Sequence, residues 1–187
     1  MSLLSVHRPL AHLDHEQLLG HLPDLNRRLS DAKIIWRPVG EAALLLVMPG
    51  EYLNAIVRRH ARPHGHDPTH LADTMNARIA DLPAEGSSYI AGVRKVDFRG
   101  RGRILHVACF LHPGDLGSER QSARDMIDET SGIKGSWKDE PFDPYISLGT
   151  IEAARAEDRV LDLLDEFVPD ELTLTKVEAT VLDNRTR

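Results

Sequence analysis

Several features that mark common functional classes are scarce or absent in this chain. Cys109 is the only cysteine among 187 residues, which excludes an internal disulfide and a thiolate-rich metal site. The longest apolar run, residues 42–48, is far too short to cross a bilayer, and the N-terminus has no signal-peptide pattern. The glycine-rich triphosphate loop and the nucleophilic serine elbow are also missing. We therefore expect a cytoplasmic protein that has no membrane partner.

The charge balance and the low aromatic content argue against some classes of nucleic-acid ligand. The net charge is -6, which argues against a general electrostatic footprint for long DNA or RNA. Aromatic residues make up only 5% of the sequence, so few side chains are available for stacking on single-stranded nucleic acid. A small anionic ligand held by a local basic group remains compatible with this composition. The hydrophobic content of 41% over 187 residues is enough for a core without disulfide or metal support.

The most informative segment is the strand-like stretch 142–151, which is entered through Pro144. Positions i and i+2 of a strand point to the same face of a sheet. Tyr145 and Ser147 should therefore lie side by side, while Ile146 and Leu148 face the core. This pattern is typical of a sheet that presents polar groups at a site.

The order of predicted elements suggests an N-terminal extension followed by two similar halves. Residues 1–41 are expected to hold two short helices, the first begun by a capping box at Asp14 and Gln17, and a first strand. Residues 42–187 then form lobes at about 42–99 and 103–187. The first lobe has strand 42–48, helix 50–59, helix 71–82 and strand 89–98; the second has strand 103–111, helix 118–131, strand 145–150, helix 154–167 and strand 172–182. In the second lobe, Ser118 and Gln121 form a further capping box, and Gly132 is expected to end the helix. With a His-rich segment between the two helices of the first lobe, both halves are interpreted as β-α-β-α-β, a repeat of pattern only.

This layout and the segment Pro-Tyr-Ile-Ser-Leu at 144–148 resemble the two-histidine phosphoesterase superfamily. That superfamily includes the bacterial RNA 2',5'-ligase-like proteins and cyclic phosphodiesterases. Each of its lobes contributes one His-x-Thr/Ser strand, typically written Pro-His-x-Thr-Leu, to a central cleft. The similarity covers about residues 42–182 and includes the strand 43–49 and the segment 103–107. It implies an α+β, two-lobed fold with a central cleft.

The resemblance also indicates where the site residues should lie. Tyr145 stands where the second motif has histidine, and Ser147 keeps the hydroxyl. The first motif is expected at His64-Gly65-His66, with His70 as a second candidate. His106 is placed third, because only 39 positions separate it from Tyr145, too few for the intervening elements of a first lobe.

The resemblance implies acid–base chemistry on a phosphodiester. In that chemistry two imidazoles trade the roles of base and acid, and neighbouring hydroxyls bind the phosphoryl oxygens. Here His64 or His70 would be the base, Tyr145 the acid or a hydrogen-bond donor, and Ser147 and His66 would hold phosphoryl oxygens. Tyrosine is a poor base because its reference pKa is about 10. Turnover is therefore expected to be weak or absent.

A basic turn between the two lobes could add phosphate contacts. Arg101 and Arg103 alternate with glycines in the segment Arg-Gly-Arg-Gly-Arg at 99–103. Guanidinium groups bind phosphate oxygens well, although a solvated hairpin would have the same composition. The ligand-binding residues expected from the sequence are His70, Arg101, Arg103 and His106.

Two alternatives to a phosphoesterase stay open. The first is a metal site, since imidazole and carboxylate side chains suit zinc, nickel or iron. Its candidate ligands fall within fourteen residues: His60, His64, His66, Asp67, His70 and Asp73. The second is a non-catalytic interaction module that reuses the cleft for a partner. The leading expectation has no cofactor and no metal, and its partner is a small phosphodiester or nucleotide, with RNA ends as a further candidate.

Overall fold

The fold consists of α-helices packed on an antiparallel, curled β-sheet. The computed structural model describes residues 2–20, 22–31, 33–39, 42–48, 51–52, 54–55, 67–81 and 88–183. Within these ranges the strands are β1 (Ser2–Pro9), β2 (Trp36–Pro38), β3 (Ala43–Val47), β4 (Tyr89–Arg99), β5 (Ile104–Leu111), β6 (Tyr145–Glu152), β7 (Glu171–Leu174) and β8 (Glu178–Asp183). The α-helices are α1 (His12–Gly20), α2 (Leu22–Asp31), α3 (Pro68–Ala80), α4 (Leu116–Ser131) and α5 (Asp158–Asp165). A 3-10 turn spans Ala153–Arg155, and residues 51, 52, 54 and 55 are helical. No helix in the described ranges is long and apolar enough to cross a membrane.

The strand order places β5 and β6 near the middle of the sheet. The order is β7-β4-β5-β6-β3-β1-β8, and β2 pairs with β6 beyond the point where β3 meets it. Every pairing is antiparallel. A bridge between Leu10 and Leu174 joins the end of β1 to the end of β7, so the sheet curls back toward itself. The predicted α+β class is confirmed, and the pseudo-symmetric repeat with a central cleft stays a prediction.

Two strand assignments differ from the sequence-based prediction. Residues 2–9, expected to belong to a helical extension, form β1 and pair with both β3 and β8. The predicted strand 172–182 is two strands, with β7 beside β4 and β8 beside β1. Residues 175–177 carry the chain between these positions, and the Thr175 amide donates to Pro9 O at 2.8 Å. The local pattern could not show this break because both strand partners are remote in sequence.

Helix boundaries also depart from the predicted capping boxes. Helix α1 begins at His12, and the Asp14 carboxylate accepts a hydrogen bond from the Thr173 amide at 2.5 Å instead of capping the helix. Helix α4 begins at Leu116, so Ser118 lies inside its first turn. Gly132 ends α4 with a left-handed φ of 67°, as the sequence predicts.

A large part of the core lies on one face of the central strands. Leu44, Ile146 and Cys109 occupy neighbouring strands in register and are fully buried. Other fully buried large side chains are Leu4, Leu25, Leu29, Leu46, Met75, Leu111, Leu116, Ile127 and Ile151. Burial of a side chain of this size contributes about 1.5–3 kcal/mol to stability. The opposite face of β5 and β6 carries the buried Ala108 and Phe110 beside the partly buried Tyr145 and Ser147.

Helix α3 covers the outer edge of β8. The Asn76 side-chain amide donates to Ala179 O at 2.8 Å, and the Ala179 amide donates to Asn76 Oδ1 at 2.9 Å. Asn76 thus replaces the backbone of a neighbouring strand at that position. Its side chain satisfies two polar groups that an edge strand would otherwise expose.

An ion-pair network fixes the short helical segment at residue 51 to α4. The Glu51 carboxylate contacts Arg120 at 2.9 Å and also contacts Arg124. The three side chains are 18%, 14% and 8% exposed, respectively. Burial alone would raise the pKa of Glu51, but the hydrogen bond from Arg124 and the charges of Arg120 and Arg124 lower it below 4.5.

The network predicts a pH-dependent loss of stability. Glu51→Gln leaves two largely buried guanidinium groups without their carboxylate, which should lower the free energy of unfolding by about 3 kcal/mol at pH 7. A carboxylate with a lowered folded-state pKa stabilises above its unfolded pKa, and this contribution is lost as the pH falls through the folded pKa. Urea unfolding should therefore show the two proteins converging below pH 4.5.

The matched control for this experiment is Glu129→Gln. Glu129 pairs with Arg78 at 2.5 Å, but its side chain is 64% exposed. An exposed pair of this kind contributes about 0–1 kcal/mol, so this variant should remain close to the wild type. Equal effects of the two substitutions would contradict the stabilising role of the Glu51 network.

Candidate functional site

The central strands bring together side chains that the sequence analysis placed on one polar face. Tyr145 is paired with Phe110, and Ser147 is paired with Ala108. Residues directly opposite in antiparallel strands point to the same side of the sheet. Ile146 and Leu148 are buried, whereas Tyr145 and Ser147 are only partly buried. The two hydroxyl groups therefore share the face opposite to Ile146 and Leu148.

Alternation along β5 places His106 on the same face as Ala108 and Ser147, and a bulge in β6 places Thr150 opposite it. The register between β5 and β6 shifts between Val107 and Ala108, and His106 is then paired with Thr150. Gly149 lies at the shift, and a Cβ atom there would come within 2.6 Å of the Trp36 ring and 2.7 Å of Arg37 O. Glycine is thus required where β2 and Trp36 approach β6.

His106 and Ser147 form the central contact of the site. His106 Nδ1 lies 3.0 Å from Ser147 Oγ, and Ser147 Oγ lies 3.4 Å from Gly149 O. When the Ser147 hydroxyl donates to Gly149 O, its oxygen accepts from His106 Nδ1–H. In that tautomer Nε2 carries the lone pair and can accept a proton. His106 is exposed, so a ligand can reach the ring.

An arginine from β4 completes the group. Arg99 is paired with His106 across the β4–β5 hairpin, and its Cζ atom lies 4.5 Å from the centre of the Tyr145 ring. Stacking on the ring orients the guanidinium, which also contacts Asp143 at 3.5 Å. We call Arg99, His106, Tyr145 and Ser147 the His106 cluster. It combines an imidazole, two hydroxyls and a fixed positive charge on one exposed face.

Further charges next to the cluster make this part of the surface cationic. Arg94 and Lys95 lie over the Phe110 ring at 5.6 Å and 5.3 Å, and Arg94 contacts Asp143 at 2.5 Å. Lys95 also contacts Asp97, and this hydrogen bond lowers the pKa of the Asp97 carboxyl. With Arg99, three cations face two carboxylates. This local excess contrasts with a chain whose net charge is -6.

Of the other residues expected from the sequence, the structure describes His70, Arg101 and Arg103, and none of them has a side-chain contact with this cluster among the described hydrogen bonds and ion pairs. His64 and His66 lie outside the described residues. His70 is exposed on α3, whose main contacts are with β8, α4 and β1. Arg101 and Arg103 are exposed in the turn between β4 and β5, where Gly100 and Gly102 have left-handed φ values of 124° and 104°.

A metal centre has no support within the described part of the chain. There, no three His, Cys, Asp or Glu side chains are close enough to hold an ion. The Asp67 carboxylate accepts the Thr69 amide at 3.0 Å and caps α3. His60, like His64 and His66, lies outside the described residues.

The neighbouring strand β3 offers no equivalent polar pair. β3 meets β6 at the pair Leu44–Ile146, and an antiparallel pair has a local twofold axis. That axis exchanges Tyr145 with Ala43 and Ser147 with Leu45. The positions that a symmetric site would fill with polar side chains are therefore apolar in β3.

Sequence reasoning named Arg99 only as part of the basic turn 99–103, and it missed Asp97 and His7 on this face. The position of Arg99 opposite His106 follows from the register of the β4–β5 hairpin, and the glycine-rich turn is the sequence signal that predicts this hairpin. Asp97 lies two residues before Arg99 on the same strand. His7 is paired with Leu45 and so faces the same side, two strands beyond β6; it lies in the strand β1 that was not predicted.

Solved structures with this fold exist at low sequence identity. The crystal structure of ATU0111 from Agrobacterium tumefaciens str. C58, a conserved protein of unknown function, aligns with a TM-score of 0.50 and 12% identity, covering 97% of this chain and 80% of that chain. The PDE domain of MHV ns2 aligns with a TM-score of 0.50 and 9% identity, covering 97% of this chain and 100% of that domain. At these identities the two likenesses show a shared fold alone.

A weaker similarity involves Usb1 from Kluyveromyces marxianus with uridine monophosphate. It has a TM-score of 0.46 and 11% identity, covering 97% of this chain and 95% of that chain. A similarity at this level supports no conclusion about the ligand of the present chain. No protein-family model and no curated protein matches the sequence.

Cys109 is adjacent to the cluster along β5 but is not part of it. Its side chain faces the core opposite Ile146 and is fully buried. Burial, with a smaller contribution from the charge of Asp165, raises the pKa of the thiol to about 12. The thiolate required for nucleophilic attack is therefore absent at neutral pH.

The burial of Cys109 predicts that the native thiol is unreactive. At pH 8 an aromatic disulfide reagent should label less than one tenth of the folded protein in the time that labels the urea-unfolded chain completely. The reason is that both access and ionisation are lost in the fold. Absorbance of the released thiolate measures the reaction. Equal labelling rates for folded and unfolded protein would contradict the placement of Cys109 in the core.

The bulge predicts a specific cost for a side chain at position 149. Gly149→Ala should lower the free energy of unfolding by about 2–3 kcal/mol, because the added methyl group overlaps Trp36 and the Arg37 carbonyl. Gly117→Ala is the matched control, since nothing lies within 4 Å of a Cβ atom there and the residue is in α4. Urea unfolding should leave this control unchanged or slightly stabilised. An unchanged Gly149→Ala variant would show that the Trp36 contact does not constrain the bulge.

Proposed function

We propose that the protein is phosphoesterase-like and binds a small 2',3'-cyclic or 2',5'-linked nucleotide, or an RNA end, through the His106 cluster. The observation that carries the proposal is the 3.0 Å contact between His106 Nδ1 and Ser147 Oγ beside Arg99 and Tyr145. The fold shared with a PDE domain adds support at the level of architecture. The proposed partner is a phosphodiester ligand, and the proposal includes no cofactor.

The side chains of the cluster match the groups of a phosphodiester. The Arg99 guanidinium supplies positive charge and directed hydrogen bonds for the phosphoryl oxygens. The Tyr145 hydroxyl can donate to the same oxygens, where charge develops during cleavage, and the Ser147 hydroxyl can do so when it turns from Gly149 O to the ligand. His106 Nε2 can accept the proton of the attacking water or hydroxyl. Binding and one half of an acid–base mechanism are thus available on one face.

The site has polar side chains on β6 but none at the twofold-related positions of β3, and this asymmetry favours binding over rapid turnover. Efficient cleavage uses one group to accept a proton and another to protonate the leaving oxygen. Tyr145 is the candidate acid beside His106, and the twofold-related positions Ala43 and Leu45 offer no second polar pair. His64 and His66 remain candidates for a second imidazole from the proposed first lobe. Under this proposal the two lobes meet at the exposed face of the central strands.

The first test measures binding and hydrolysis of a nucleoside 2',3'-cyclic phosphate. Arg99→Gln and Ser147→Ala should each lower the affinity by about 10-fold or more, because each removes a hydrogen bond to a charged group. His106→Gln should abolish residual hydrolysis. Titration calorimetry and chromatographic detection of the ring-opened product report the two quantities separately.

The control is His12→Gln on helix α1, where the side chain is 81% exposed and lies 3.5 Å from Glu16. This variant should bind and hydrolyse like the wild type. Robust hydrolysis that survives Tyr145→Phe would refute the assignment of Tyr145 as acid. Binding that is unaffected by Arg99→Gln and Ser147→Ala would refute the site itself.

A further inference from the structure

A groove lies directly beside the His106 cluster, at the end of the sheet where β2 joins β6. Its volume is about 350 Å³, which lies within the range of small-molecule sites. Its lining includes Ile35, Arg37, Ile104, Thr150, Glu152 and Arg155. Neither the proposed function nor the sequence analysis assigns a role to this groove.

The register of the sheet connects the groove to the cluster. His106 is paired with Thr150 on β6, and Thr150 is paired with Arg37 on β2. These residues therefore form a row on one face, with Arg99 at its other end. Two strand spacings separate the backbones at His106 and Arg37, a distance of about 10 Å. A ligand centred on the cluster can extend into the groove without leaving this face.

The charges of the groove favour a second anionic group. Arg37 is exposed, as is Arg155 in the 3-10 turn, and neither makes an ion pair with a carboxylate in the described ranges of the chain. Glu152 is the only carboxylate of the lining, so two cations face one anion. Unpaired guanidinium groups on a surface are suited to bind a phosphate.

The groove also exposes two large aliphatic side chains that are not part of the buried core. The side chain of Ile35 is 79% exposed and that of Ile104 is 53% exposed. Ile104 lies two residues before His106 on β5 and therefore on the same face. Large aliphatic side chains at a rim of this kind provide contact area for a flat, weakly polar group such as a nucleobase.

We propose that this groove binds the nucleotide adjacent to the terminal phosphodiester, with Arg37 and Arg155 holding its phosphate and Ile35 and Ile104 contacting its base. The inference rests on the proposed function, because the terminal group must occupy the His106 cluster. It narrows the ligand class to an oligonucleotide end of at least two nucleotides. Mononucleotides fill only half of the extended site.

The experiment compares a nucleoside 2',3'-cyclic phosphate with a dinucleotide that carries the same cyclic end. The wild-type protein should bind the dinucleotide about 10-fold more tightly, and the logarithm of its affinity should fall more steeply with salt by about 0.7 for the additional phosphate. Arg37→Gln and Arg155→Gln should remove most of this preference and the extra salt dependence. Titration calorimetry at four salt concentrations measures both.

The matched control is Arg159→Gln on α5, an exposed arginine that pairs with Glu157 at 2.7 Å outside the groove. It should keep the dinucleotide preference. If both ligands bind equally well, or if the preference survives in the Arg37→Gln and Arg155→Gln variants, the groove assignment is overturned while the proposed function stands. If neither ligand binds, both are overturned.

Discussion

The pairing of β5 with β6, and the bulge within it, is the constraint on which the candidate site depends. Without the register shift at Gly149, the alternation along β6 would continue and Thr150 would no longer lie opposite His106. The shift is possible because glycine leaves room for the Trp36 ring, which belongs to the core. Packing on the buried face thus determines which polar groups meet on the exposed face.

Local patterns in the sequence were sufficient for the elements whose partners are also local. The hairpin β4–β5 and helix α4 with its end at Gly132 follow from alternation, turn glycines and apolar periodicity. Strand β1 could not be recognised in this way because Arg8, a buried residue in it, contradicts the usual pattern. Its guanidinium contacts Glu119 at 2.7 Å, a partner 111 residues away. Burial of a charge in a strand becomes understandable only when that partner is known.

In the candidate site, too, some features follow from local sequence and others depend on residues that are distant along the chain. Tyr145 and Ser147 were placed on a common face from strand geometry alone, and the structure has them there. The contact between His106 and Ser147 was not expected, because separation along the chain was used as a measure of separation in space. Helix α4 returns the chain to the sheet, so β5 and β6 become neighbours although a long connection joins them. The position of Arg99 beside His106 likewise depends on the register of the β4–β5 hairpin.

The Asn76 side chain affects whether a second chain can pair with the edge of the sheet at β8. β8 is the last strand in the sheet order, and such a strand can recruit an extended peptide through its free amide and carbonyl groups. Both groups of Ala179 are already occupied by the Asn76 carboxamide. A second chain could not continue the ladder past this point without displacing α3. At this position helix α3 therefore blocks the addition of a further strand to the sheet.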